Sequence, residues 1–452
     1  MDNTIVWQWG LVILSSLILI LFSPIAKNAQ QFFKAENKSG QAPNFVLLTS
    51  SLVISWIFAK SITNAANLGL SFGLVGGLAY AGYYLSFCVA GIIIYRLRTQ
   101  GGFKSIHQFL HQKYGRSALW LFSILIAIRL FNEIWSNTMV IGSYFGAAGS
   151  SAYYASILVF TGLTLVYSLK GGMRSSLFTD LIQMALFGVL LAIILGQIIP
   201  QTDGGINTYL QEGTWSMTMG LNLLFVAIIQ SFSYPFHDPV MTDRGFIAAP
   251  KTTLKSFLWA GLIGAICILL FSFVGIYARI NGLEGEAPVV VSKTLGVVMM
   301  LIMNFIMITS AASTLDSTFS SFSKLVTIDL GWVNEITVQK GRLTMAVLAI
   351  VGTIPVFFNP EILSATTVSG TMVIGLAPVF LLWNWTVPKL SFHLSVAIGI
   401  LTGIILIIGC PNALLFFDGK YGDYLSLNIL GSIACFLAFI IPKGVQTLLA
   451  KT

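Results

Sequence analysis

Residues 44–67 read NFVLLTSSLVISWIFAKSITNAAN. The first half is apolar enough for the hydrocarbon core of a bilayer, and the stretch then loses that character around Lys60, Ser61, Thr63, Asn64 and Asn67. A helix that turns polar at membrane depth is tolerated only where protein, water or a bound molecule meets its freed backbone groups. A second such place follows at Gln230, Ser231, Ser233, Tyr234 and Pro235. Proline there removes a backbone donor and opens the helix. The alternative at both places is an ordinary helix end with polar caps.

Working outward, the 452 residues are 56% apolar and only 9% charged, where a soluble domain carries about 25% charged residues. That composition excludes a soluble enzyme, a disulfide scaffold and a disordered regulator. The four cysteines (Cys88, Cys267, Cys410, Cys435) lie in apolar segments without metal or redox spacing and read as packing residues. A bilayer core needs roughly 20 apolar residues per helix. That length predicts thirteen spans, at about 5–24, 44–63, 70–95, 117–144, 152–169, 175–199, 217–234, 253–279, 292–321, 341–358, 362–385, 390–410 and 425–442. The first is expected to be a retained helix, because its first basic residue, Lys27, follows it. The fold class predicted is an all-α integral membrane protein.

Alternating the connections places 19 of the 24 Lys and Arg on one side, from Lys27 to Lys451. The other side holds Arg279, Lys293 and Lys420 with eight acids. Cytoplasmic loops collect Lys and Arg, so the N-terminus is expected outside, the C-terminus cytoplasmic and the host a plasma (inner) membrane. The net charge of +8 then follows from topology, and no nucleic-acid partner is needed.

Spans two to six and seven to eleven form two sets of five, each opening with an interrupted helix. Five is odd, so the sets have opposite topology, the plan of inverted-repeat carriers with midplane sites. The division expected is 1–43, a first flanking helix and loop; 44–199, the first five-helix repeat; 200–385, the inverted second; and 386–452, two C-terminal flanking helices.

Five ionisable residues fall at membrane depth: Lys60, Arg129, Glu133, Asp180 and Asp316. Each opposes insertion by roughly 2.5–3.5 kcal/mol near the centre unless paired or hydrated. In the fourth span Arg129, Asn132, Glu133, Ser136 and Asn137 share one helical stripe, and the i,i+4 spacing lets Arg129 and Glu133 neutralise each other. That pair is either an internal tie or a direct contact for a solute. The ninth span carries Ser310, Ser313, Thr314, Ser317 and Ser321, with Asp316 at the edge. These hydroxyls are either interhelical glue or oxygen ligands for a small dehydrated cation. With Arg129 and Glu133 paired, Lys60, Asp180 and Asp316 leave a charge of −1, which one monovalent cation cancels.

Three motifs resemble the sodium:solute symporter family, which uses the LeuT-like five-plus-five fold. They are Tyr167-Ser168-Leu169-Lys170-Gly171-Gly172-Met173-Arg174 with Thr179, Asp180 and Gln183; Ala312-Ser313-Thr314-Leu315-Asp316-Ser317; and, more weakly, Tyr234 through Arg244. The resemblance implies a sodium site from the carbonyls of Ile54, Ile57 and Ser310 and the hydroxyls of Ser313 and Thr314. It implies a second cation site from Asp180, Ser313, Asp316 and Ser317. Asp316 stands where the family usually has a hydroxyl or small residue, so it either tightens cation binding or carries protons. Lys60 also departs from the family, and can hold a substrate carboxylate, pair with Asp316 or take a coupling-ion position. Substrate or gate candidates are Lys60, Ser61, Asn64, Arg129, Glu133, Tyr234, His237 and Asp238; Trp56 and Trp135 either line the cavity or belong to the interfacial aromatic belts. His237 is either functional or a helix cap.

The function expected is sodium-coupled uptake of a small polar organic solute by alternating access, with sodium as the coupling ion, no other cofactor and no enzymatic activity. The partners expected are a small-molecule substrate and the lipid bilayer. A proton-coupled or ion-independent carrier of the same fold is the alternative; a channel or membrane sensor is the weaker reading.

Overall fold

A computed structural model describes residues 3–331, 335–360 and 369–449. Among the described residues it is helical and without strands. The helices used below are α1 (Asn3–Phe22), α2 (Phe45–Trp56), α3 (Ala59–Phe72), α4 (Leu74–Thr99), α5 (Ile106–Tyr114), α6 (Arg116–Ser143), α7 (Ser151–Gly171) and α8 (Met173–Ile198). They continue with α9 (Leu221–Gln230), α10 (Pro239–Arg244), α11 (Pro250–Ile280), α12 (Val297–Lys324), α13 (Val338–Thr353), α14 (Leu376–Leu381), α15 (Lys389–Ile408) and α16 (Gly422–Leu449).

Among the described residues ten helices are long and apolar enough to cross a membrane, and α2 with α3 make an eleventh if the pair, bent by 59°, is one span. The short apolar α9 stands for the seventh expected span. The eleventh, 362–385, lies partly outside the described residues, as do Asp2, Glu361 and Lys451 of the charge distribution.

The interrupted helices differ in extent from the reading above. The polar stretch from Ser61 to Asn67 is not a helix end but the body of α3, with Ser61, Thr63 and Asn64 buried. The seventh span does not stop at 234: it passes through a tight turn, Tyr234–His237, and resumes as α10 to Arg244. Hydropathy missed both second halves because their polar groups are buried against protein rather than lipid.

Small residues let the helices approach. On α11, a Cβ added to Gly275 would lie 1.7 Å from the Ala66 carbonyl oxygen of α3, and one on Gly69 of α3 would lie 2.3 Å from the Ser272 carbonyl oxygen. Both contacts are with backbone, which cannot swing aside, and overpacking a tight site costs about 1–3 kcal/mol. Gly275→Ala is therefore expected to lower the melting temperature in detergent, whereas the same change at Gly162, which faces open space, leaves it in place. Equal melting of the two variants would refute the close crossing.

Candidate functional site: two buried charge clusters at paired helix breaks

The last carbonyls of a helix have no partner within it. At the end of α2 the Val53 carbonyl accepts from the Ile57 amide at 3.0 Å and that of Trp56 from the Tyr84 hydroxyl at 3.0 Å. The carbonyls of Ile54 and Ser55 thus fall where the ladder ends, before α3 starts at Ala59. The second break lies directly against the first. The indole N–H of Trp56 donates to Asp238 Oδ2 at 3.0 Å, and its ring meets that of Tyr234 edge-on with centroids 5.8 Å apart. Asp238 also caps α10, accepting from the Met241 amide at 3.2 Å.

One cluster joins α2, α8, α10 and α12. Asp180 accepts from Ser313 at 2.5 Å, from Ser51 at 2.5 Å and from Ser55 at 3.4 Å. Asp316 accepts from Ser176 at 2.8 Å and Thr179 at 2.9 Å. Ser317 lies 3.1 Å from Ser55 and 3.0 Å from Ser176. The Asp180, Asp316, Ser313 and Ser317 of the expected second cation site therefore meet in one buried place. Of the expected first site, Ser313 belongs to this cluster, Ile54 and Ile57 are fully buried, and Thr314 donates to the Ser310 carbonyl at 2.9 Å.

Arg244 is the residue that the sequence reading missed. Counted there with the loop charges, it is 1% exposed and sits inside this cluster. Its guanidinium donates to Asp180 at 3.1 Å, Ser317 at 2.7 Å, Ser176 at 3.2 Å and Ser51 at 2.6 Å. The signal was the length of the seventh span, because a helix resuming after Pro235 carries Arg244 back inside. Ser51 and Ser55, and Ser176 beside the expected Asp180, were also overlooked, although the i,i+4 spacing puts Ser51 with Ser55 and Ser176 with Asp180 on one face. With both acids ionised, the two carboxylates and one guanidinium give this cluster a formal charge of −1.

The other cluster joins α3, α6 and the second break. Lys60 Nζ pairs with Glu133 at 2.8 Å, not with Asp316, and reaches Ser136 at 3.3 Å. Arg129 pairs with Glu133, the i,i+4 contact expected, and with Asp238 at 3.3 Å. Asn137 donates to Glu133 at 2.8 Å. The Lys60 ammonium and Arg129 guanidinium lie over the Phe58 ring at 5.2 and 5.5 Å, and Arg129 lies 5.3 Å from the centre of Tyr234. Lys60 is fully buried, and Arg129 and Glu133 are buried with it.

Beside this quartet is a cavity of about 20 Å³ lined by Trp56, Phe58, Ser61, Tyr80, Tyr83, Tyr84 and Tyr234. One water needs roughly 10–15 Å³ on the same measure, so the walls are closed upon one another. Tyr80 donates to Ser61 at 3.0 Å and takes a bond from Asn64 at 3.5 Å. Trp135 does not join these walls: its indole bonds Asn132 at 3.1 Å and its ring packs with Tyr153 and Val356. His237 is buried, its Nδ1 2.7 Å from the Tyr234 carbonyl oxygen.

Beyond the first cluster, on the lysine-rich side, Lys324 holds Asp243 at 2.6 Å and Asp329 at 2.9 Å, and His107 of α5 lies 3.6 Å from Asp329. Burial pushes the His107 imidazole below its usual range, so the folded state favours the neutral ring. The unfolded chain takes up the proton more readily, so the contribution of this group to stability falls as pH drops below about 6.5. Thermal melts between pH 7.5 and 5.5 are expected to show this decline and to show less of it in His107→Asn. An identical pH dependence in the two proteins would refute the assignment.

No protein-family model matches the chain. A curated relative, the urea active transporter of Saccharomyces cerevisiae, is 20% identical over 279 residues, 56% of this chain and 37% of that one. The chain thus spans little more than a third of that relative's length. Among solved structures, a Na+-coupled sialic acid symporter in a substrate-bound outward-open state superposes with a TM-score of 0.71 at 16% identity, covering 98% of this chain and 97% of that one. Mhp1, a nucleobase-cation-symport-1 family transporter in a closed conformation, gives 0.59 at 12% identity, covering 93% and 94%. MhsT in complex with L-phenylalanine gives 0.56 at 14% identity, covering 88% and 98%. These neighbours are transporters rather than enzymes, and the chain shares their fold over nearly its whole length. By fold it is an all-α integral membrane protein with the LeuT-type architecture, the one that its resemblance to the sodium:solute symporters implies.

Proposed function

We propose that the protein couples the inward movement of sodium to uptake of a small polar organic solute by alternating access. The observation that carries this reading is the convergence of Asp180, Asp316, Ser313 and Ser317 beside the end of α2, with Arg244 cancelling only one of the two acids. A buried residual charge is costly, and a dehydrated sodium ion ligated by hydroxyl, carbonyl and carboxylate oxygens removes it. In this reading Ile54, Ile57, Ser310, Ser313 and Thr314 hold the coupling ion, and Arg244 takes much of the second cation position. The solute binds where Trp56, Ser61 and Tyr234 meet at the two breaks. The sialic acid symporter named above is sodium-coupled, and the curated relative is named for urea; both support a carrier of this kind.

Residues 44–199 and 200–385 then form the two inverted repeats, with the lysine-rich side facing the cytoplasm across a plasma membrane. One charge crossing 100 mV is worth about 2.3 kcal/mol, and a tenfold gradient adds about 1.4 kcal/mol. A single ion thus supports accumulation of roughly several hundredfold. The test is a thermal-shift screen of metabolites in sodium and in potassium, followed by uptake into proteoliposomes. Sodium-dependent stabilisation and uptake of the same solute support the reading. Uptake that persists in sodium-free buffer and follows a proton gradient overturns it in favour of proton coupling through Asp316.

A further inference from the structure

The nature of the solute can be narrowed, on the basis of the carrier reading above. Lys60 and Arg129 are the ammonium and guanidinium of the cluster beside the cavity, and both are ion-paired: Lys60 with Glu133, and Arg129 with Glu133 and Asp238. Two cations face two carboxylates, so the quartet sums to zero. The neighbouring cavity, walled by Trp56, Phe58, Ser61, Tyr80 and Tyr234 among others, is lined by no carboxylate, ammonium, guanidinium or imidazole. We infer that the transported solute is a small, uncharged, hydrogen-bonding molecule of the amide or polyol kind, and that anionic and zwitterionic solutes are rejected.

A solute carboxylate entering this space leaves water for a place whose cations already have partners. Drawing Lys60 away from Glu133 does not help, because three carboxylates would then share two cations. Buried ionic groups without matched partners are unfavourable. A neutral solute keeps the quartet intact, and the one uncancelled charge, on the Asp180, Asp316 and Arg244 cluster, is met by the coupling ion. The closed complex is then electroneutral throughout. The walls suit such a molecule, offering aromatic faces for its body and the Ser61 and Tyr80 hydroxyls for its polar edge. The small cavity means that the rings must part for anything larger than water, which favours a compact solute.

Proteoliposomes under an inward sodium gradient, supplied with radiolabelled urea, acetamide, glycerol, proline, lactate or N-acetylneuraminate, test this. At least one of the three neutral probes is expected to enter tenfold faster than into protein-free vesicles, with the other three below twofold. Sodium-driven accumulation of proline, lactate or N-acetylneuraminate overturns the charge rule and leaves the carrier standing. Neutral uptake that is indifferent to sodium sinks the coupling and leaves the charge rule standing. Vesicles that exchange radioactive sodium yet admit none of the neutral probes overturn the inference.

A pair of variants checks the cause. Glu133→Gln unbalances the quartet and is expected to cut neutral uptake at least tenfold, while Lys60→Gln combined with Glu133→Gln restores neutrality and recovers at least a third of it. A double variant that elutes normally on gel filtration and is as inactive as the single one shows that charge balance is not the determinant.

Discussion

Asp180→Ala is expected to give the largest loss of stability of any single change in the hydroxyl-rich cluster. The carboxylate accepts from Ser313, Ser51, Ser55 and Arg244, and its removal leaves a guanidinium in the interior without its ion-pair partner. Breaking one side of a buried ion pair costs about 3–5 kcal/mol. A marked drop in melting temperature and loss of sodium-dependent uptake should appear together. Removing both charges, as Asp180→Leu with Arg244→Met, should recover most of the melting temperature without the uptake, because apolar replacement of a buried pair is often neutral. Should Asp180→Ala melt with the parent, the carboxylate and guanidinium are not in contact.

Asp316→Asn is expected to act on the ion instead. The amide keeps the shape of the side chain and can still accept from one of Ser176 and Thr179, so the stability cost is about 1 kcal/mol. The charge of the cluster, however, goes from −1 to zero. A unit charge about 4 Å from the ion is worth roughly 4 kcal/mol at the effective dielectric of protein sites. Even half of that weakens sodium activation about thirtyfold. The sodium concentration for half-maximal uptake reports it directly, and an unchanged value would show that the ion does not feel the charge of Asp316.

Much of this arrangement is legible in the sequence. The apolar spans follow from bilayer thickness, and the stripe from Ser310 to Ser321 follows from helical periodicity. The Arg129 and Glu133 pair follows from i,i+4 spacing, and Asp180 and Ser313 meet as their motifs imply. The partnerships that depend on how distant helices dock are not legible. Lys60 could be weighed against a substrate carboxylate or Asp316, yet its partner is Glu133, set by where α3 crosses α6. Arg244 looked like a loop residue because basic residues usually mark the cytoplasmic edge, and only a helix resuming beyond Pro235 brings it inside. Hydropathy registers whether a residue avoids water and is blind to whether protein or lipid surrounds it.

Asp243 and Arg244 are neighbours at the end of a helix only six residues long, yet they reach in different directions. Asp243 grips Lys324 toward the lysine-rich edge, while Arg244 reaches Asp180 within the interior. A segment that short has no slack, so tilting it to undo either grip drags the other along. α10 is thus a rigid lever with a charged hand at each side, and unfastening the edge of the bundle and disturbing its innermost ion pair are one mechanical event.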